Sequence, residues 1–407
     1  MRSSFRDEDV ELLLKDITGL VEPLPTAERE KRIQSGTHYS EMLPLEYKPS
    51  DDYIRIYNRA LDVFGQPVAD AIVRVSEKIV NEKGSDVVIV SLARAGTPIG
   101  VLISRYIRKK YAYACPHYSV SIIRDRGIDR NAIEYILKKH PAGSIQFVDG
   151  WTGKGVIYKE LRKEISSFPG VSDKLAVVAD PAYITDLCGT HDDILIPSSC
   201  LNSTVCGLIS RTFLRSDIIG ADDFHGAVFY EGLIDEDRTY EFIDRIEALF
   251  RSEPAAEENE RSIGEKVDDV RAIAAEENER SIDEKVDDVR ALAAEENERS
   301  IDVRGDDVRA IAYEENERSI DEKVDDIRVI AEKFEIANVN HIKPGIGETT
   351  RVLLRRVPWK VIIDERYKDC EELKHIQQLA LEKKVAIYYT RLNSYKCCGL
   401  IKRLSDI

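Results

Sequence analysis

The stretch that most constrains this chain runs from Ser144 to Val156. An apolar run (Ile145, Phe147, Val148) stops at Asp149. A turn with Gly150, Gly153 and Gly155 follows, and a helical pattern begins at Val156. Strand, glycine turn and helix in that order predict an α/β unit. Glycines let the backbone come close to an anion, and a helix start adds partial positive charge. The turn lacks the spacing of a P-loop and of the dinucleotide fingerprint. A carboxylate just ahead of a phosphate-type turn suits a ligand that carries both hydroxyls and phosphate.

A second turn agrees. Val87-Val88-Ile89-Val90 leads into Ser91-Leu92-Ala93-Arg94-Ala95-Gly96-Thr97-Pro98, and Pro98 suits the first turn of a helix. Taken together, the two motifs resemble type I phosphoribosyltransferases, and specifically the phosphoribosyltransferase-like proteins of bacterial tellurite-resistance and stress gene clusters, a group labelled StiP. The resemblance covers roughly residues 30 to 250. It implies a phosphoribosyl-pyrophosphate (PRPP) site, with Mg²⁺ on the diphosphate and the ribose hydroxyls. Asp149 would orient the ribose. Gly150, Thr152, Gly153, Lys154 and Gly155 would cradle the 5′-phosphate. Arg94, Ala95 and Gly96 would hold the departing pyrophosphate. Arg124 and Arg126, in the charged run Arg124 to Arg130, would sit on a mobile loop that closes over the diphosphate.

The fold expected is therefore α/β. A phosphoribosyltransferase-like domain with a parallel sheet spans 36–252 and follows a loosely attached arm over 1–35. Apolar spacing predicts helices over 53–80, divided at Gly65 and Pro67. Strands are expected at 86–92, 118–123 and 175–180, alternating with helices. A loop holding His38, Tyr39 and Glu41 is a further candidate for facing the ligand.

Residues 255–330 are four copies of a nineteen-residue repeat that contribute −3, −4, −3 and −4 to the net charge of −16. The remainder is thus close to neutral, and the acidity argues nothing against nucleic-acid binding elsewhere. Pairs such as Glu257/Arg261 and Glu276/Arg280 favour helix. The apolar stripe rotates by about 100° per repeat, so a long dimeric coiled coil is not expected. A charged helical spacer over 255–333 is the reading.

A small α/β/α domain is expected over 334–407. Gly345-Ile346-Gly347-Glu348-Thr349-Thr350-Arg351 at a helix start resembles the RNA-binding domain of Pelota and of kink-turn-binding ribosomal proteins. This implies RNA contacts from Gly345, Glu348, Thr349 and Arg351, with Lys396 in a second loop over 393–399.

Seven cysteines without a CxxC pair argue against a disulfide framework. No apolar run reaches the length of a membrane span. A reduced cytoplasm is the expected setting. The leading expectation is a PRPP-dependent transferase acting on a base-like acceptor, with PRPP and RNA as partners and self-association open. Two alternatives stand beside it. One is a non-catalytic, nucleotide-sensing RNA-binding regulator. The other is a cysteine protease with Cys200 or Cys188 as nucleophile and His191 or His225 as base.

Overall fold

A computed structural model describes residues 1–251, 326–336 and 338–401. The helical-spacer expectation for 255–333 falls outside these residues except at 326–333, which are helical. Residues on the two sides of the repeats pack as one unit.

The larger sheet contains β1 (Glu11–Leu13), β3 (Val88–Ala93), β4 (His117–Ile123), β5 (Gly127–Ile128), β6 (Ile145–Trp151), β7 (Leu175–Ala179) and β8 (Cys188–Thr190). Its order is β1-β4-β3-β6-β7-β8, all parallel, and β5 folds back antiparallel on β4. β2 (Lys15–Asp16) pairs separately with β9 (Gly226–Ala227). The strands β3, β4, β6 and β7 are buried nearly end to end. This is the pattern of a sheet covered on both faces. α2 (Asp51–Lys83) and α3 (Gly96–Tyr111) supply one apolar layer. α4 (Arg130–Leu137) and α5 (Val156–Ile165) supply the other. α6 (Thr239–Glu247) packs against α2 and α3.

Three expectations change. Residues 1–35 are not a loose arm, because β1 pairs with β4 in register Glu11↔Tyr118 and Phe5, Val10, Leu13, Leu14 and Ile17 are buried. α1 (Thr26–Gln34) also lies in this stretch. The helix over 53–80 is not divided. α2 runs unbroken through Gly65 and Pro67, since Phe64, Val68, Ile72, Val75 and Ile79 all lie in the core. Proline inside a helix costs about 3 kcal/mol, less than burying several such side chains returns. The run Arg124 to Arg130 is no open loop either. It is a tight turn (Asp125, φ 63°) into β5, with Gly127 at φ 88° against the Glu164 side chain.

The C-terminal residues form a four-stranded sheet in the order β10 (Ile342–Pro344), β13 (Cys397–Ile401), β11 (Pro358–Asp364), β12 (Ala386–Thr390). The helices Ile346–Arg355 and Lys374–Glu382 pack on it. The expected second loop ends earlier than 399. Cys397, Cys398 and Leu400 are fully buried, so this run is an inner strand paired on both sides.

The two sheets share a core. Ala182 and Ile184, just beyond β7, join Ile342, Ile362, Tyr395 and Leu400. Tyr53 hydroxyl donates to the Leu354 carbonyl, Arg59 pairs with Glu371, and the Phe64 and His375 rings meet edge to face at 6.4 Å.

Candidate functional site

The first-expected site is built around β6, and its polar groups are already engaged. Gly150 N–H donates to Asp149 Oδ1 at 2.7 Å, and Thr152 N–H donates to the Ala179 carbonyl at 3.2 Å. Two N–H groups needed for a phosphate cradle therefore serve the turn and the sheet. Lys154 Nζ donates to the Val339 carbonyl at 2.5 Å. Gly153 accepts from the Tyr395 hydroxyl at 3.4 Å. Gly96 and Gly155 have structural reasons. A Cβ on Gly96, beside Ala95, would lie 2.9 Å from the Val148 carbonyl oxygen. Gly155 stands at φ 69° as the start of α5. Arg94 is held by Glu46 Oε1 at 3.1 Å and the Ile209 carbonyl at 3.0 Å. Arg126 pairs with Glu41 at 2.7 Å, and Arg124 N–H donates to the Tyr39 hydroxyl. Burial pushes the Asp149 carboxyl up to about 7, opposed by its own Gly150 N–H and by Arg351.

The neighbouring strand end gathers reactive groups. β7 ends at Ala179, and Asp180 N–H donates to the Thr190 carbonyl at 2.9 Å. The chain turns back through Thr185, whose N–H donates to Asp180 Oδ2 at 2.8 Å and whose hydroxyl donates to the Leu175 carbonyl. This clamp lays β8 beside β7. β8 also lies directly on α2, because Gly189 has no side chain. A Cβ there would be 2.1 Å from the Ala71 carbonyl oxygen, and Arg74 Nε donates to the Gly189 carbonyl at 2.7 Å.

Cys188 Sγ consequently lies 3.4 Å from His191 Nε2. His191 Nδ1 lies 2.8 Å from the Asp180 carbonyl oxygen and 3.9 Å from Asp180 Oδ2. A carbonyl only accepts, so Nδ1 carries the proton and Nε2 is the unprotonated nitrogen. Sγ is also 3.7 Å from Nδ1, so the thiol lies against the face of the ring and must swing toward its Nε2 edge to pass a proton. The Tyr183 ring stacks on His191 at 3.9 Å, almost parallel to it. Tyr183 holds φ 55°, which a bulky residue seldom adopts. Burial pushes the Asp180 carboxyl up to about 6, with the Thr185 N–H as the largest opposing influence.

The other thiols differ. Burial pushes Cys115 up to about 11 and raises Cys370, Cys397 and Cys398. Cys200 is fully buried in the larger apolar core. His225 Nδ1 lies 2.8 Å from Ser121 Oγ, and the His225 backbone N–H donates to Asp129 Oδ2 at 2.6 Å. Of the four residues considered for thiol chemistry, Cys188 and His191 come together. Asp180 and Tyr183 carried no sequence motif. The available signal was an acid at a strand's carboxyl end, where α/β ligand sites form.

The expected RNA-contacting turn faces the same segment. Asp193 Oδ1 accepts from Ile346 N–H at 2.8 Å, and Oδ2 accepts from Lys396 N–H at 3.0 Å. Burial pushes the Asp193 carboxyl up to about 6 against these two N–H groups. Gly345 and Thr349 are buried, and Lys396 Nζ is 2.5 Å from Glu372. These three are thus spent inside the protein. Glu348 pairs with Arg351 at 2.8 Å. Lys343, Arg356 and Arg351 surround Glu348, and Lys343 with Arg124 neighbours Lys154. Burial, followed by repulsion from Lys343, brings the Lys154 amine down to about 8.

Comparison with known proteins decides between the alternatives. Residues 3–247 match a family described as tellurite-like stress resistance cysteine protease StiP. Residues 321–403 match the PELOTA RNA binding domain. A protein of Acinetobacter baylyi named "Cysteine protease StiP" is 32% identical over 420 residues, 98% of this chain and 94% of the relative. These findings overturn the PRPP-dependent transferase, with its magnesium and its glycosyl transfer, and favour the protease alternative. Among the described residues no helix is long and apolar enough to cross a membrane. The chain belongs to the StiP family of tellurite-like stress resistance cysteine proteases and carries a Pelota-type RNA-binding domain at its C-terminal end.

Proposed function

We propose that this chain hydrolyses peptide bonds with Cys188 as nucleophile and His191 as base. The carrying observation is the 3.4 Å approach of Sγ to Nε2 with Nδ1 fixed on the Asp180 carbonyl. Sγ attacks the scissile carbonyl carbon while its proton passes to Nε2. The imidazolium so formed donates from Nδ1 to the Asp180 carbonyl, with Asp180 Oδ2 3.9 Å away. Nε2–H then protonates the leaving amine as the C–N bond breaks, leaving a thioester on Cys188. Water attacks the thioester with His191 again taking the proton. The acid product departs and the thiol is restored. Cys188 is almost fully buried whereas His191 and Tyr183 are partly exposed, so the substrate approaches along those two rings.

Stoichiometric iodoacetamide and peptide mapping test this. At neutral pH, Cys188 is expected to be alkylated first, with peptidase activity falling in parallel. Alkylation of Cys200 in step with the loss, and none of Cys188, refutes the assignment.

The match to an RNA-binding domain supports a second component, RNA contact through Lys343 and Arg351. The Lys343 carbonyl accepts from the Thr349 hydroxyl, whereas its amine makes no hydrogen bond or salt bridge among the described residues. Charge reversal of Lys343 and Arg351 is expected to weaken binding of an RNA oligonucleotide. The slope of log affinity against log salt should fall by about 1 per lost contact. An unchanged slope excludes these residues.

A further inference from the structure

The loop holding His38, Tyr39 and Glu41, which the hydrolysis above does not use, lies against a group of arginines. Leu214 N–H donates to the Ser40 carbonyl at 2.9 Å, and Phe213 N–H donates to the Gly226 carbonyl at 2.8 Å. These bonds fix the backbone beside Arg211. Its guanidinium lies over the Tyr39 ring, 4.9 Å from the centroid. Among the described residues that guanidinium has no hydrogen bond and no carboxylate partner. Its charged neighbours are Arg29, Arg94 and Arg356, all of the same sign. Glu46 is close by but accepts from Arg94 Nη1 at 3.1 Å.

Burial, then repulsion from Arg29 and Arg94, brings the Arg211 guanidinium down to about 10. A cation held in this way costs free energy unless an anion meets it. Arg211 is partly exposed and Arg356 is exposed, so the recess between them opens to solvent. The Tyr39 hydroxyl accepts from Arg124 N–H at 2.8 Å, and its own proton has no acceptor among the described residues. A guanidinium fork beside a free hydroxyl donor suits a tetrahedral oxyanion, which the fork can meet through two parallel bonds. The crowd of positive charge favours a phosphomonoester, with a charge of about −1.5 to −2 at pH 7, over the single charge of a phosphodiester.

Arg356 follows the helix Ile346–Arg355 and neighbours Lys343 as well as Arg211. The recess therefore adjoins the cations assigned to RNA above. We propose that Arg211, Arg356 and the Tyr39 hydroxyl form a recess for a phosphomonoester group, carried by the end of an RNA strand that Lys343 and Arg351 hold. The strand end rests on the RNA component proposed above, whereas the recess itself does not. The turn after β6 and Arg94 take no part, because Asp149 bonds Gly150 N–H and Arg94 bonds Glu46 and the Ile209 carbonyl.

The test compares binding of one short single-stranded RNA to the full-length chain with a 5′-phosphate, with a 3′-phosphate, and with hydroxyls at both ends. A terminal phosphate is expected to tighten binding about tenfold. Arg211→Gln should erase that preference and leave the hydroxyl-ended RNA within about twofold of wild type. Lys343→Glu should weaken all three RNAs alike. Calorimetry with inorganic phosphate separates the sources of the group. Phosphate binding that Arg211→Gln removes, without any preference among the RNAs, keeps the recess, gives it to a free phosphate compound and ends the RNA role. A preference that survives Arg211→Gln overturns the recess, and so does the lack of any response to phosphate on RNA or in solution. Thermal melts in phosphate-free buffer guard against misfolding. Arg211→Gln should melt no lower than wild type, since it removes a charge without a partner, and only wild type should gain from added phosphate. A lower melt in the variant would mean that the fold itself uses the charge, which also overturns the recess.

Discussion

The turn after β6 and the segment after β7 leave adjacent strands of one sheet at the same end. The first looks functional in the sequence and is structurally occupied. Gly155 takes a positive φ close to Ile184, Thr152 N–H extends the sheet, and Asp149 bonds its own neighbour. The second carries no motif, yet places a thiol, an imidazole and a carboxylate within reach of one another. A turn binds an anion only if its donors are free, and chemistry depends on convergence that sequence spacing does not encode.

The largest test of this contrast is activity. Cys188→Ala is expected to lower peptidase kcat/KM by at least about 10³-fold, as removal of a nucleophile does. Asp149→Asn is expected to stay within a few-fold of wild type, because Asn retains the acceptor for Gly150 N–H. Equal losses in the two variants would erase the distinction between the strand ends.

The sheet was legible because its information is local. The runs at 87–90 and 175–179 are apolar on both faces, as a covered parallel strand is, and 118–123 alternates Ser119 and Ser121 with apolar residues while lying fully buried. β1 and β13 were missed for different reasons. Glu11–Leu13 is too short to show alternation, and its partner β4 lies more than a hundred residues away. Cys397–Ile401 follows a polar loop, and its Cys-Cys-Gly start hides an apolar strand. In the site, Cys188 and His191 were visible as residue types. Asp180 was not, because its role depends on the Thr185 clamp and on β8 lying against α2 at Gly189.

Asp193 gives an intermediate effect. It joins the segment after β8 to the start of the helix Ile346–Arg355 through two N–H groups. Asp193→Ala leaves both donors buried and uncapped, at a cost of about 2–3 kcal/mol. Asp193→Asn keeps at least one acceptor and should cost less. Urea denaturation of the two variants ranks them. Equal stabilities would mean that the contact between the protease segment and the RNA-binding domain does not depend on this carboxylate.

The smallest effect concerns the two raised carboxyls, Asp149 and Asp193, which sit in unlike surroundings. The Asp149 carboxyl titrates at about 7 in the fold against an ordinary 3.8, with a single N–H bonded to it. The folded chain therefore holds a proton that the unfolded chain has lost between those values. Its contribution to stability falls as pH climbs from about 4 to about 7 and stays low above that. Asn carries no charge at any of these pH values. Asp149→Asn should match wild type near pH 4 and exceed it at pH 8 by on the order of 1–2 kcal/mol. Asp193→Asn gains less at pH 8, because its anion is met by two N–H groups that Asn cannot satisfy as well. Thermal melts of both variants at the two pH values separate the cases. A loss of stability at pH 8 in Asp149→Asn would show that the fold uses the anion, with Arg351 as its counter-charge, and would return the β6 turn to the list of charged, functional strand ends.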